Sequence, residues 1–89
     1  MFSDRVKIKD VKLEIGGLVR SLRKKNKLSQ QDLADLLGLS RLTIQNLESG
    51  KNFTIDTLLK VLQNFEMLPN LQDLILSQRK ENEETINLY

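Results

Sequence analysis

The chain contains no cysteine, no histidine and no tryptophan, and it has one proline among its 89 residues. Without cysteine it can form neither a disulfide nor a thiolate metal site, and without histidine it lacks the most common metal ligand and general base. Three Phe and one Tyr give little material for stacking unpaired bases, which argues against single-strand binding. With no glycine-rich phosphate loop and no paired carboxylates, the sequence predicts no enzyme, no metal site and no cofactor.

Long apolar runs are also missing. A membrane-spanning helix needs about 20 consecutive apolar residues, and a secretory signal peptide needs an apolar segment near the N-terminus; the sequence has neither. We therefore expect no membrane association and a cytoplasmic location. A chain of 89 residues makes one domain, which buries only about 60% of its unfolded surface and leaves no room for a deep catalytic cleft.

Charge is unevenly distributed, although the formal net charge is only +2. Residues 1–27 hold nine Lys or Arg and three Asp or Glu, whereas residues 28–89 hold five and nine. A basic half and an acidic tail favour a polyanion partner on one side of the molecule. Lysine on a helix surface is also ordinary solvated charge, and charge alone leaves the two interpretations even.

Two short helices joined by a tight turn are predicted for residues 29–50, which read SQQDLADLLGLSRLTIQNLESG. Ser29 can cap the first helix, and Asp32 can complete a short-armed capping box. Gly38 supplies the left-handed conformation that ends this helix, and Ser40 caps the next. The first helix carries one apolar stripe at helical spacing: Leu33, Leu36 and Leu37.

The second helix of this stretch has a polar outer side. At about 100° per residue, its inner side carries Ile44 and Leu47. Its outer side carries a guanidinium, two amides, a hydroxyl and one leucine: Arg41, Leu42, Gln45, Asn46 and Ser49. Arginine bonds guanine, the amides bond adenine, and an apolar tip can meet a thymine methyl. Since a helix fits the major groove, this side predicts readout of double-stranded DNA; the alternative is ordinary polar surface.

The stretch resembles the helix-turn-helix of the phage-repressor (Cro/C1, or XRE) family. That motif has a small residue in its first helix, glycine in its turn and aliphatic residues at two places in its second helix; here these are Ala34, Gly38, Ile44 and Leu47. The resemblance implies an all-α, five-helix, phage-repressor-like DNA-binding domain with a central helix-turn-helix and a flexible C-terminal tail.

The resemblance also implies roles for individual residues. Bases would be contacted by Arg41, Leu42, Gln45 and Asn46. The DNA backbone would be contacted by Ser29, Gln30, Thr43, Ser49, Lys51 and Asn52. For the first two of these, helix capping alone is the alternative, and the two roles are compatible. Arg23 and Glu48 would form a structural ion pair, against the alternative of two unrelated surface charges.

We divide the chain into a basic N-terminal arm at 1–9, a helix-turn-helix domain at 10–79 and a disordered or partner-binding tail at 80–89. The arm either frays or lies along DNA backbone. The first helix is predicted from near Asp10 to Asn26, where Asn26 would take a positive φ. Gly16 and Gly17 mark either the start of this helix or a close packing contact.

Two further helices are predicted after the motif. Thr54 caps the fourth, from Ile55 to about Phe65, and its predicted core stripe is Ile55, Leu58, Leu59, Leu62 and Phe65. Pro69 breaks this helix, and Asn70 caps the fifth. The fifth is more apolar than one packing face requires: Leu71, Leu74, Ile75 and Leu76. It either packs on the fourth helix alone or forms a dimer interface. In the tail, Ile86, Leu88 and Tyr89 could add a strand to a second subunit or partner.

The leading functional hypothesis is a sequence-specific regulator of transcription that binds double-stranded DNA. It would be a repressor on a palindromic operator, a homodimer through the C-terminal helix, bacterial or phage-encoded, and nucleoid-associated in the cytoplasm. A shorter resemblance, around Asn52-Phe53-Thr54 and the following LLKVLQNFEML, is to HipB-type antitoxins. It gives the alternative of an antitoxin that binds a toxin and autoregulates its operon.

Overall fold

The computed structural model describes residues 5–87, and within that range the chain forms five α-helices and no strand. They are α1 (Ile8–Lys25), α2 (Gln30–Leu37), α3 (Arg41–Glu48), α4 (Ile55–Asn64) and α5 (Leu68–Asn87). The predicted all-α, five-helix fold is therefore confirmed. In the part of the chain that the structure describes, none of the helices combines the length and apolar character needed to cross a membrane.

The core lies where α1, α2 and α4 surround the inner side of α3. α3 packs against both α1 and α2, α4 packs against α2, and α5 contacts α4. The fully buried apolar side chains come from the first four helices: Val19, Leu33, Ala34, Ile44, Leu47 and Val61. Burying one large aliphatic side chain contributes about 1.5–3 kcal/mol, so the position of α3 is set by its packing against α1 and α2.

Four helices end in the same type of turn, in which one residue is left-handed. After α2 and α3 this residue is Gly38 (φ 66°) and Gly50 (φ 77°); after α1 and α4 it is Lys27 and Glu66, both with φ 59°. The following N–H bonds the carbonyl five residues back, as from Leu28 to Arg23 at 3.0 Å. This is the Schellman pattern, which favours glycine at the left-handed position. Two of the four left-handed residues, Lys27 and Glu66, are not glycine.

The structure corrects the predicted ends of α1. Asn26 has φ −92°, so the predicted positive φ at this residue is wrong, and Lys27 adopts it instead. The helix begins at Ile8, two residues before the predicted Asp10, because the Asp10 carboxylate reaches back to the Lys7 N–H at 3.0 Å. Gly16 and Gly17 therefore lie inside α1 and do not mark its start.

Two residues of the predicted apolar stripes are exposed. Leu36 is 60% exposed, because α2 turns Leu33 and Ala34 toward the interior. Ile55 is 68% exposed, because it lies in the first turn of α4, ahead of the buried Thr57.

α5 differs most from prediction. It begins at Leu68, with Pro69 in its first turn, where a missing N–H costs nothing; Asn70 is therefore not the cap. It continues through residues 80–87, predicted as a disordered or partner-binding tail, with an Arg79–Glu83 ion pair of 3.0 Å one turn apart. None of its described residues is buried. The strand predicted to use Leu88 and Tyr89 falls outside the described residues, as do positions 1–4 of the arm.

Candidate nucleic-acid interface

Side-chain caps order the turn between α2 and α3. The Ser29 hydroxyl accepts from the Asp32 N–H at 2.9 Å, and the Asp32 carboxylate accepts from the Ser29 N–H at 2.9 Å. The Ser29 N–H holds the pKa of Asp32 below its usual value, and the Ser29 hydroxyl adds to the effect. Ser40 caps α3 by accepting from the Thr43 N–H at 3.1 Å. The caps predicted at Ser29 and Ser40 are thus present in the structure.

The inner side of α3 is fixed by close packing. Ile44 and Leu47 are fully buried, and so is Ala34, which faces them from α2. Because Ala34 has only a methyl group, the two helices can cross closely at this point. These contacts leave α3 no freedom to rotate its polar side inward.

Arg23 of α1 holds the C-terminal end of α3 through Glu48. Its Nε donates to Glu48 Oε2 at 2.7 Å and its Nη2 to Glu48 Oε1 at 3.0 Å, while its Nη1 donates to the Leu28 carbonyl at 2.9 Å. The two side chains are only 10% and 5% exposed. The hydrogen bonds to Glu48 raise the pKa of Arg23, against the opposing effect of burial. The geometry is that of a bidentate charged pair, which is the strongest kind of side-chain hydrogen bonding.

Gly16 contacts the same end of α3 from two helical turns before Arg23. A β-carbon at Gly16 would overlap the carbonyl oxygen of Glu48 and would lie 2.8 Å from that of Leu47. A β-carbon at the neighbouring Gly17 would meet nothing within 4 Å. Gly16 is therefore a close packing contact between α1 and α3, and Gly17 is not.

The outer side of α3 faces solvent. Arg41 and Gln45 are exposed, Leu42 is 63% exposed, and Asn46 is half-buried. Within residues 5–87, no hydrogen bond occupies the side chains of Arg41, Gln45 or Asn46. The four residues predicted to contact bases are thus brought together on one open surface, and their donors and acceptors are available to a ligand.

Most residues predicted to contact the DNA backbone already have partners inside the chain. Gln30 Nε2 donates to Glu48 Oε1 at 3.2 Å, the Ser49 hydroxyl donates to the Asn46 carbonyl at 3.2 Å, and Asn52 Oδ1 accepts from Lys12 Nζ at 2.7 Å. The hydroxyls of Ser29 and Thr43 belong to the helix caps. Lys51 is exposed. Except at Lys51, a contact between one of these side chains and a phosphate would therefore share or replace a hydrogen bond that exists in the free protein.

A shallow concavity of about 320 Å³ connects the two predicted groups of contacts. It is lined by Gln45 and Ser49 of α3, by Gln30 of α2, by Arg20 of α1 and by the Arg23–Glu48 pair. Arg20 is not among the contacts predicted from the sequence. Its spacing of three residues from Arg23, one turn along α1, is the signal that could have placed it beside the interface.

Among residues 5–87, no cluster of acidic side chains has the arrangement of a metal site.

In comparison with known proteins, a family model described as helix-turn-helix, of the Cro/C1-type (XRE) class, matches residues 19–68. This is more than half of the chain, and it runs from Val19 in α1 to Leu68 at the start of α5. No curated protein matches the chain.

Proposed function

The chain belongs to the Cro/C1-type (XRE) helix-turn-helix family, and from this premise we propose that it represses transcription by binding a palindromic operator as a homodimer. Membership of the family makes it a DNA-binding transcriptional regulator in general terms. Repression, the palindrome, the dimer and the residues that read bases are the proposal.

The observation that carries the proposal is the open polar side of α3, which we call the recognition surface: Arg41, Leu42, Gln45 and Asn46. Its polar groups have no partner within the described residues, while Ile44 and Leu47 on the opposite side are fully buried. A guanidinium and two amides match guanine and adenine edges in the major groove, and each good bidentate pair is worth about 1–3 kcal/mol of discrimination.

One recognition surface reads only a few base pairs, so specificity needs a second copy. Two copies related by a twofold axis would place their α3 helices about 34 Å apart, in successive major grooves. Such symmetry reads a palindrome, because each half-site meets the same residues.

α5 is the surface that we assign to the dimer. Leu74, Ile75 and Leu76 are 59%, 51% and 38% exposed. Ile75 and Leu76 line an apolar groove of about 470 Å³ that α5 forms with Leu59 of α4. Apolar side chains lining a groove in this way are typical of association surfaces.

The exposed area of the chain is larger than that of a compact monomer, as expected of a protein whose surface is partly covered by a second copy. A globular monomer of 10.3 kDa exposes about 5,400 Å², whereas this chain exposes 7035 Å². The excess of about 1,600 Å² is twice the share of one partner in a standard protein–protein interface. The radius of gyration of 15.9 Å also exceeds the value of about 12 Å for a compact domain of this length.

Selection of tight binders from a pool of random duplex DNA tests binding, half-site sequence and symmetry together. On the selected duplex, we expect Arg41→Ala to lose about 1–3 kcal/mol of affinity for each half-site and to lose much less on random-sequence DNA. Lys51→Ala should weaken both alike, since a phosphate contact reads no sequence. Equal losses for Arg41→Ala on the two DNAs would refute base reading, and a selected site without twofold symmetry would refute the palindrome.

Sedimentation of two matched variants tests the dimer surface. Ile75→Glu places a charge in the α5 groove and should convert the dimer to a monomer. Ile55→Glu is the control, because Ile55 is even more exposed but lies at the start of α4, outside the groove. A wild-type monomer, or a dimer that survives Ile75→Glu, would refute the assignment to α5.

The antitoxin alternative draws on the same helix. Residues 80–87 extend α5 with Glu81, Glu83 and Glu84, all exposed, and such a surface could serve a protein partner instead of a second copy. The discriminating experiment is a truncation after Lys80. Loss of a stoichiometric protein partner with DNA affinity and dimer retained would favour the antitoxin, and retention of all properties would count against it.

A further inference from the structure

We propose that Lys12, in the second turn of α1, is a phosphate-binding residue of the DNA interface. The inference rests on the proposed function and deepens it. Lys12 precedes the region matched by the family model, which begins at residue 19, and it was not among the backbone contacts predicted from the sequence. It would bring a further structural element, the start of α1, to the edge of the groove.

A direct contact places Lys12 beside the loop that follows α3. Its Nζ donates to Asn52 Oδ1 at 2.7 Å, joining residues forty positions apart. The adjacent Leu13 lies against Gly50, where a β-carbon would come within 2.8 Å of Leu13 Cδ2 and 3.3 Å of Leu13 Cα. The second turn of α1 is therefore packed on the residues 50–52 that leave the recognition helix and that include two of the predicted phosphate contacts.

The charges at this edge favour an anion. Lys12 and Lys51 both lie at it, and neither pairs with a carboxylate in the part of the chain that the structure describes. The hydrogen-bond partner of Lys12 is a neutral amide, that of Asn52, which leaves the ammonium charge uncompensated. A lysine ammonium has three donors, so Lys12 can hold Asn52 and still donate to a phosphate oxygen.

The start of α1 is ordered before any ligand arrives. The Asp10 carboxylate accepts from the Lys7 N–H at 3.0 Å and so fixes the first turn, and Lys12 follows in regular helix. Lys12 is half-buried and its tip is held on Asn52, which reduces the side-chain freedom that binding would otherwise remove. A cation positioned in this way contributes to affinity without reading sequence.

The salt dependence of binding measures this contact, because each neutralised phosphate releases condensed counterions. For duplex DNA the slope of log K against log salt changes by about 0.9 per phosphate. We would measure it on the selected operator and on a random-sequence duplex of about 30 base pairs, long enough for two half-sites. Lys12→Gln keeps the length and polarity of the side chain but removes its charge. Lys60→Gln is the control, since Lys60 lies on the α2–α4 surface beside Leu36 and Gln63.

The expected result for Lys12→Gln on both duplexes is a slope smaller by about 1.8, because a bound dimer loses one phosphate contact of about 0.9 in each half-site. We expect no change for Lys60→Gln and recovery in Lys12→Arg. Ethylation interference should also lose one phosphate signal per half-site in Lys12→Gln. An unchanged slope in Lys12→Gln, or an equal change in Lys60→Gln, would overturn the inference and leave the proposed function intact. A wild-type protein that binds neither duplex would overturn the proposed function itself.

Discussion

Neighbouring glycines in α1 allow a sharp test of how α3 is positioned. Gly16→Ala and Gly17→Ala add the same methyl group to the same helix, one residue apart. At Gly17 nothing lies within 4 Å of the new carbon, whereas at Gly16 the carbon meets the backbone of Leu47 and Glu48. The two substitutions therefore separate helix propensity from helix–helix contact.

The two substitutions should change the free energy of unfolding in opposite directions. Alanine is favoured over glycine by about 1 kcal/mol in a helix interior, and Gly17→Ala should gain that amount. At Gly16 the carbon would lie 2.8 Å from the Leu47 carbonyl oxygen, and optimal contacts are about 3.5–4.0 Å. The obstacle is backbone and cannot rotate away, so α1 and α3 must separate. Overpacking costs about 1–3 kcal/mol; at the upper end of that range, less the propensity gain, Gly16→Ala should lose about 2 kcal/mol.

Urea unfolding followed by circular dichroism, at one fixed protein concentration, measures both variants. For a domain of this size, 1 kcal/mol corresponds to about 4–8 °C in Tm, so thermal scans give an independent reading. Gly16→Ala should also weaken DNA binding at temperatures where it remains folded, because α3 is displaced, while Gly17→Ala should bind as the wild type does. A Gly16→Ala protein as stable as Gly17→Ala would refute the close α1–α3 contact.

Two further pairs of substitutions test the helix ends and the ion pairs. Lys27→Gly and Glu66→Gly each remove the strain of a left-handed side-chain-bearing residue, which is worth about 1–2 kcal/mol. The added entropy of glycine in the unfolded state costs about 0.4–1 kcal/mol. We therefore expect a raised urea midpoint in each variant, and lowered midpoints would contradict the strain argument. Arg23→Ala should lower the free energy of unfolding by about 3–5 kcal/mol, because Glu48 stays buried without its cation. Arg79→Ala should lower it by less than about 0.5 kcal/mol, because the Arg79–Glu83 pair is exposed. Equal changes in Tm for Arg23→Ala and Arg79→Ala would show that the Arg23–Glu48 pair stabilises the protein no more than an exposed pair does.

The elements that the sequence predicted correctly are those decided by local chemistry. Ser29, Asp32, Gly38 and Ser40 form their caps and turn with residues at most five positions away, so a short stretch of sequence contains both partners. The buried positions of α3 were also predictable, since a short helix with only two large aliphatic residues on one side has a single way to bury them. The geometry predicted for Arg23 and Glu48 is present, but it came from the family resemblance and not from spacing.

The errors arise where distant contacts decide. Leu36 and Ile55 follow helical spacing, yet they are exposed because no other element covers their part of α2 and α4. The role of Gly16 depends on the backbone of Glu48, thirty-two positions later, and the Lys12–Asn52 bond spans forty. At the turn after α1, Asn26 was the residue with the better left-handed propensity, but the hydrogen bonds that close the helix select Lys27. The position at which the helix ends, and not residue propensity, therefore decides which residue is left-handed.

The way α3 is held separates its stability from its specificity. Its inner side and its last residue carry the structural contacts, through Ile44, Leu47 and Glu48, while Arg41 and Gln45 make no side-chain hydrogen bond within the described residues. Exposed residues of that kind usually change stability by less than about 0.5 kcal/mol when substituted. Variants at these two positions should therefore alter which half-site is selected while leaving the urea midpoint unchanged. A large loss of stability in Gln45→Ala would mean that the recognition surface has a structural role, and the physical basis for reading bases with it would be lost.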